Sequence, residues 1–388
     1  MPENRNFFSS DFKLGILGGG QLGKMLLTET RRYDIRTKVL DPSPKAPCRI
    51  GSNEFETGRL TDKERVLKFA RDCDLITIEI EAVSTAALHQ LESDGKMVYP
   101  PPGVLDIIKN KCRQKAFYRE HGIPTADFLS FENKAEMHQK LKESTLEFPL
   151  VWKAASGGYD GRGVQMVEDE LTLESLPDQE GMLEKKMPFD KEIAVITARS
   201  ARGEIKSYPV VEMDFHPVAN LVEYVFSPSV LPQSLQKRAI ELAEELAEKL
   251  NHVGLLAVEM FCMPNGDILV NEVAPRVHNS GHLTIEGHVT SQFDQHLRAI
   301  LGLPLGSTEC IQPAVMVNLT GAEDYEGPVV YDGIEEVMAI PGCAVHLYGK
   351  AETRPFRKMG HITVTASELP EARRKARVVK ETIKVVST

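Results

Sequence analysis

The run KLGILGGGQLGKMLLTETRRYDIRTKVLD constrains the fold more than any other stretch of the chain. An apolar segment, Leu14 to Leu17, meets a turn carrying Gly18, Gly20 and Gly23. A helix-like stretch, Gln21 to Arg32, then leads into a second apolar segment, Thr37 to Leu40. Glycine lets a chain turn this tightly and lets its backbone approach a ligand at a helix amino terminus. The segment therefore predicts one βαβ unit of a parallel sheet. The spacing is also that of a dinucleotide-binding turn, with Asp41 close to where a ribose-binding acid would sit. The same glycines serve α/β domains that bind no dinucleotide, because helix and strand must approach closely there. Both readings stand on this stretch alone.

At 388 residues, 42% hydrophobic and 26% charged, the chain suits two or three globular domains. A formal net charge of -10 argues against nucleic acid or an anionic membrane as partner, since both reward clustered positive charge. Small-molecule partners are expected instead. Six cysteines, Cys48, Cys73, Cys112, Cys262, Cys310 and Cys343, form no C-x-x-C, so neither a zinc ribbon nor a dense disulfide framework is predicted. The opening MPENRNFFSSDF lacks the apolar core of a signal peptide, and no stretch approaches the roughly 20 apolar residues of a membrane helix. A cytoplasmic location is the expectation. Pro100, Pro101, Pro102 and Gly103 break any regular element, and GLPLGSTECIQP marks a second shift. These breaks divide the chain into 1–104, 105–302 and 303–388.

Chemistry concentrates in the middle region. The loop SGGYDGRGV follows a strand ending in Trp152 and Lys153. Its Gly157, Gly158, Gly161 and Gly163 can turn several backbone N–H groups toward one anion, with Lys153 adding a point charge; a surface hairpin is the plain alternative. Further on, GLLAVEMFCMPNGDILVNEVA reads as two strands joined at Asn265-Gly266, a two-residue hairpin signal. That register sets Glu259 directly opposite Glu272 on one face. Two facing carboxylates repel unless a cation lies between them, and Mg²⁺ carrying nucleotide phosphates would satisfy the pair, as would lysine or arginine. The helix SLQKRAIELAEELAEKL offers a stripe of Leu235, Leu242, Leu246 and Leu250 to support the hairpin. In APRVHNSGH, Arg276 and His278 suit an anion better than His278 and His282 suit zinc, for which no further ligand is clear. Lys350, Arg354, Arg357 and Lys358 crowd nine residues of the third region and suit a phosphate monoester or a solvated surface.

Taken together, GILGGGQLGKM, DLITIEIEAV, VWKAASGGYDGRGV, LEKKMPF with Glu192, VEMF, NEVAPRVHNSGHLTIEGHVTSQFDQHLRAILGLPLG and YGKAETRPFRKMGH resemble the ATP-grasp superfamily, specifically its N5-carboxyaminoimidazole ribonucleotide synthetases. The resemblance spans nearly the whole chain. It implies an α/β and α+β architecture, the ATP-grasp fold. A Rossmann-like pre-ATP-grasp domain, a two-lobed ATP-grasp domain with a glycine-loop lid about 154–200, and a small β-rich carboxy-terminal domain, hybrid-motif-like in rudiment, would follow one another. It also implies a carbon–nitrogen ligase of purine biosynthesis. MgATP would activate bicarbonate as carboxyphosphate, which carboxylates the amine of 5-aminoimidazole ribonucleotide.

The family pattern places ATP against Lys111, Lys153, Gly158, Tyr159, Asp160, Gly161, Arg162, Gly163 and Val164. Glu184, Lys185, Lys186 and Met187 would line the adenine hinge, Glu192 the ribose, and Asn271 and Glu272 would also belong to the ATP site. Glu259 and Glu272 would hold magnesium, and Gln21, Leu22, Glu79, Asn279, Lys350, Arg357 and Lys358 the ribonucleotide. Tyr159, Asp160, Arg162, Arg276 and His278 would surround bicarbonate and carboxyphosphate as the catalytic set. A homodimer and a mutase that takes over the product are further implications. Two departures stand out: Glu212-Met213-Asp214-Phe215 replaces the common Glu-Asn-x-His, with His216 one position late, and Lys111 stands where arginine is common. The alternative within the superfamily is the formate-dependent phosphoribosylglycinamide transformylase, whose loop is serine-rich rather than GGYDGRG. An NAD(P)-dependent oxidoreductase, the alternative from another class, leaves the paired acids and the third-region cations unexplained.

Overall fold

The computed structural model describes residues 6–157, 163–215 and 221–388. Gly158, Tyr159, Asp160, Gly161 and Arg162 of the glycine loop, and His216, lie outside the described residues.

The opening segment folds as its spacing predicts. Strands β1 (Lys13–Leu17), β2 (Arg36–Asp41), β3 (Glu54–Thr57), β4 (Leu75–Ile78) and β5 (Met97–Tyr99) form a parallel sheet in the order β3-β2-β1-β4-β5. Leu14, Ile16, Leu17, Leu75, Ile76 and Ile78 are all buried, as strands covered on both faces require. The strand order reverses between β1 and β4, and the crevice beyond the carboxyl ends of such neighbours is where open α/β sheets take ligands.

Two antiparallel sheets follow. The smaller, in the order β6-β9-β7-β8, holds β6 (Phe128–Phe131), β7 (Leu150–Ala154), β8 (Val164–Val167) and β9 (Gly181–Lys185). The larger runs β15-β14-β10-β12-β13-β16-β20-β18, with β11 (Ile205–Ser207) paired to β10. Its members are β10 (Lys191–Arg199), β12 (Val211–Phe215), β13 (Val222–Ser227), β14 (Gly254–Cys262), β15 (Ile268–Ala274), β16 (Ala314–Thr320), β18 (Cys343–Leu347) and β20 (Lys358–Thr365). The ladder between β13 and β16 joins the middle region to the third, so one sheet crosses residue 302. A small sheet of β19 (Glu352–Thr353), β17 (Gly327–Asp332) and β21 (Lys384–Ser387) completes the third region.

The helix Gln233–Lys249 buries Ala239, Leu242, Ala243, Leu246 and Ala247, and with Leu250 beyond its end packs against Val258, Met260, Ile268 and Val270 of the hairpin. Leu235 lies at the margin of that cluster. Among the described residues no helix is long and apolar enough to cross a membrane.

Candidate active site

The strands that carry the paired acids are joined by a different turn from the one expected. The hairpin loop holds three residues, Pro264, Asn265 and Gly266, not two. The Gly266 N–H donates to the Met263 carbonyl and the Met263 N–H to the Asp267 carbonyl, each at 2.8 Å. Gly266 takes φ 83°, the left-handed residue that closes a three-residue loop. Next to the turn the register is therefore shifted, with Cys262 opposite Ile268 and Met260 opposite Val270. A β-bulge at Asn271 absorbs the shift, and Glu259 does lie opposite Glu272. The expected pair is present, reached through two offsetting departures.

The bulge has a chemical effect. Strand side chains alternate between faces, so neighbours such as Asn271 and Glu272 ordinarily point apart; an unpaired extra residue re-aims one of them. Here Asn271 Oδ1 accepts from Lys153 Nζ at 3.1 Å while Glu272 receives Lys111 Nζ. Lys111 opens the helix Lys111–Glu120, and Lys153 sits on β7. On the neighbouring strand β10, Glu192 is paired opposite Phe261 and Ala194 opposite Glu259, so Glu192 shares the face of the two acids.

Electrostatics divides these carboxyls. Glu272 is held well below the usual carboxylate range by Lys111. Burial, then the charge of Glu272, pushes Glu259 up. Burial also lifts Glu192 to about 7. Glu184 behaves differently: its Oε1 meets Lys153 Nζ at 3.0 Å and its Oε2 meets Lys115 Nζ at 2.8 Å, and the two lysines outweigh its burial and keep its pKa low. Lys115 and Glu184 are each 2% exposed, an ion pair inside the fold. The expected hinge residue Glu184 thus spends its carboxylate on lysines, while Lys185 and Lys186 are exposed beyond it and Met187 half-buried. Lys115 was not among the expected site residues. Its spacing of four from Lys111, which puts both on one helical face, is the signal that marks it.

The amino-terminal turn meets the same region. Glu79, at the end of β4, is buried and accepts from the N–H groups of Gly20 at 2.9 Å and Gly23 at 3.2 Å. A Cβ on Gly18 or Gly20 would strike this carboxyl, which explains both glycines. Asp41 Oδ2 takes the Gly19 N–H at 2.7 Å and its Oδ1 the Ser43 N–H, so Asp41 is a turn residue. The N–H groups that would cradle a dinucleotide pyrophosphate are engaged by the protein's own acids. Gln21 is half-buried and Leu22 buried.

Three contacts, of Arg276 with Glu81, Lys24 with Leu347 and Asn279 with Asn318, join the regions pairwise around one cleft. Arg276 Nε pairs with Glu81 at 2.9 Å, two residues past Glu79. Lys24 Nζ, on the helix after the glycine turn, donates to the Leu347 carbonyl at 2.7 Å, beside the third-region cations. His278 Nε2 lies 3.6 Å from Glu259 Oε1. Lys350 Nζ donates to the Lys358 carbonyl at 2.6 Å, and Lys358 stands close enough to draw the Glu259 pKa back down. Arg357 is turned to the Glu352 carbonyl, 2.7 Å away, and Arg354 is exposed. Asn279 exchanges two amide hydrogen bonds with Asn318, at 2.9 and 3.0 Å. His282 is buried against Phe293 and His361.

Family domains match in series along the chain: the ribonucleotide synthetase preATP-grasp domain over residues 12–109, the ATP-grasp domain over 116–293, and the phosphoribosylaminoimidazole carboxylase C-terminal domain over 314–375. Over 356 residues the chain is 38% identical to the N5-carboxyaminoimidazole ribonucleotide synthase of Bacillus subtilis, spanning 90% of each. This chain belongs to the N5-carboxyaminoimidazole ribonucleotide synthase family. The synthetase of that name from Thermotoga maritima superposes with a TM-score of 0.89 at 41% identity, covering 97% of this chain and 100% of that one. The Aspergillus clavatus synthase, solved with ADP and 5-aminoimidazole ribonucleotide, superposes at 0.87 with 35% identity, covering 96% and 98%. The synthase family is thus an ATP-grasp ligase family, and the fold expected from the sequence is the one observed. The oxidoreductase reading falls with it.

Proposed function

We propose that the protein carboxylates 5-aminoimidazole ribonucleotide with bicarbonate at the expense of ATP, releasing ADP and phosphate and yielding N5-carboxyaminoimidazole ribonucleotide. One observation carries this reading beyond family membership. The opposed acids Glu259 and Glu272, the lysines Lys111 and Lys153, and groups from both flanking regions meet at one cleft.

ATP is assigned to Lys111, Lys153, Gly163, Val164, Glu184 to Met187, Glu192 and Asn271, together with the loop residues 158–162 outside the description. Glu259 and Glu272 offer hard oxygen donors on one face, and Mg²⁺ prefers a few carboxylates plus substrate phosphates to a full protein cage. The donor set fits that ion. Bound there, it would offset negative charge on the phosphates. Among the described residues no group of three or more His, Cys, Asp or Glu forms a self-sufficient cage.

The chemistry needs two displacements. A bicarbonate oxygen attacks the γ-phosphorus and ADP leaves, giving carboxyphosphate; the substrate amine then attacks the carboxyl carbon, phosphate leaves, and the proton lost by the nitrogen goes to that phosphate. Lys153 and Arg276 stabilise the charge that spreads over the transferring oxygens. His278, with its Nε2 toward Glu259, is proposed to donate to the carboxyphosphate oxygens, and Tyr159, Asp160 and Arg162 are proposed to complete the catalytic set. Exclusion of water protects an intermediate that hydrolyses readily. The ribonucleotide is assigned to Gln21, Leu22, Glu79, Asn279, Lys350, Arg357 and Lys358. Residues 1–104, 105–302 and 303–388 are proposed as the three working units. A cytoplasmic homodimer handing product to a mutase completes the proposal.

The test measures ADP release with 5-aminoimidazole ribonucleotide and bicarbonate, and separately with glycinamide ribonucleotide and formate. Ribonucleotide-dependent ADP is expected in the first mixture. Turnover only in the second would overturn the reading in favour of the transformylase.

A further inference from the structure

The side chain of Gln292 touches neither the acids nor the lysines of the cleft, yet its amide is spent on the residue that faces them. Gln292 is fully buried at the start of the helix Gln292–Ile300. Its Oε1 accepts the backbone N–H of His278 at 2.8 Å, and its Nε2 donates to the backbone carbonyl of the same residue, also at 2.8 Å. The second Nε2 hydrogen goes to His282 Nδ1 at 2.9 Å. The partners fix which end of the amide is oxygen, because one His278 group can only donate and the other only accept. Both backbone polar groups of His278 are thereby tied to one side chain from a helix 14 residues on.

The surroundings hold this clamp in place. The Gln292 N–H donates to Thr284 Oγ1 at 2.8 Å, and Thr284 Oγ1 donates to the Gly281 carbonyl at 2.6 Å. A Cβ on Gly281 would come within 2.5 Å of Gln292 Oε1, so glycine stands there to admit the amide. His282, the third partner, packs between Phe293 and His361, with ring centroids 5.9 and 4.6 Å away. The ring of His278 is then set by Ser280, whose Oγ lies 2.9 Å from Nδ1, leaving Nε2 directed at Glu259.

We infer that Gln292 is a positioning residue for the carboxylation reaction, clamping the backbone of His278 so that the imidazole Nε2 meets the reacting oxygens at the Glu259 end of the cleft. The inference rests on the catalytic assignment of His278. A buried amide with all its hydrogens used is costly to displace, and a displacement of about 1 Å at a reacting group costs about 10²-fold in rate.

The experiment is a double-mutant cycle on the full chain, read as ADP release with 5-aminoimidazole ribonucleotide and bicarbonate. Gln292→Leu should lower kcat by about 10²-fold while the KM for ATP stays within about twofold. Combined with His278→Ala it should add almost nothing, because the residue it serves is already gone. Full multiplication of the two losses overturns the inference, since the glutamine then acts on the fold at large. So does a wild-type kcat in Gln292→Leu when His278→Ala is impaired. Activity retained in His278→Ala removes the catalytic assignment of His278 itself, a failure distinct from the others. If Gln292→Leu does not fold, Gly281→Ala pushes on the same amide with the glutamine intact, and the same outcomes apply.

Discussion

Glu79 is a buried carboxyl and Glu259 a half-buried one at the edge of the same cleft, and the protein surrounds them differently. Glu79 sits at the start of the helix Gln21–Arg32 and receives two backbone N–H groups. Those bonds oppose the upward pull of its burial. Glu259 faces a second carboxylate across the hairpin, and burial and that neighbour both raise its pKa. Glu184 is a third case, with one lysine on each oxygen. Glu79 and Glu184 have partners supplied by the fold, whereas Glu259 faces a like charge, the arrangement on which its proposed magnesium role rests. That contrast lets each acid be tested on its own terms.

The largest effect is expected on the opposed pair. Glu272→Gln should reduce ribonucleotide-dependent ADP release by about 10³-fold, the scale of losing one electrostatic stabiliser of a transferring group. Glu259→Gln should cost turnover similarly while the melting temperature holds or rises, since it removes like-charge repulsion. A Glu259→Gln enzyme with normal turnover would erase the distinction between the two kinds of acid. Next comes the acid that the fold serves best. Lys115→Met leaves Glu184 with one lysine and Thr125 Oγ1 without its 2.5 Å partner. Removing one side of such a buried pair destabilises by about 3 kcal/mol. Urea denaturation checks it; a shift below about 1 kcal/mol, the worth of an exposed pair, would place Glu184 among weakly held acids.

How much of this the sequence discloses depends on the range of each interaction. The βαβ unit is legible because its signal is local: apolar run, glycine turn, amphipathic helix. The facing of Glu259 and Glu272 is legible too, though the turn between them is not, because the third loop residue, Pro264, and the bulge at Asn271 shift the register in opposite senses. Asn271 as a site residue is carried by the family resemblance, and only the bulge gives the physical reason that it points with Glu272. The engagement of Glu184 by two lysines is beyond reach of spacing, since it joins residues 31 and 69 apart on β7, β9 and a helix. Gln292 lies deeper still, a polar residue at a helix start whose partners become visible only when the chain from 278 to 282 folds back over it.

A smaller effect is expected at Glu79. Glu79→Gln keeps the shape but weakens two bonds to backbone N–H groups, a loss of roughly 2 kcal/mol when the acceptor is charged. The glycine turn should loosen, and the KM for the ribonucleotide should rise about tenfold, or about 1.4 kcal/mol of binding, with the KM for ATP unchanged. Equal changes in both would show that Glu79 supports the whole cleft rather than the ribonucleotide side.

The smallest effect concerns a group served neither by the fold nor by a substrate. His288 is 4% exposed, and among the described residues neither ring nitrogen has a hydrogen-bond partner. Burial depresses its pKa to about 4. The unfolded chain, with histidine near 6.5, therefore takes up the proton first as the pH falls. The stability this neutral ring contributes is complete above about pH 6.5 and is lost progressively toward pH 4. Between pH 7.5 and 5.5 the loss from His288 amounts to about 1.4 kcal/mol. His288→Phe cannot take a proton, so its urea midpoint should fall less over that interval by the corresponding amount. An unchanged difference between the two pH values would mean that His288 titrates normally in the folded protein, and that its nitrogens reach solvent or a partner after all.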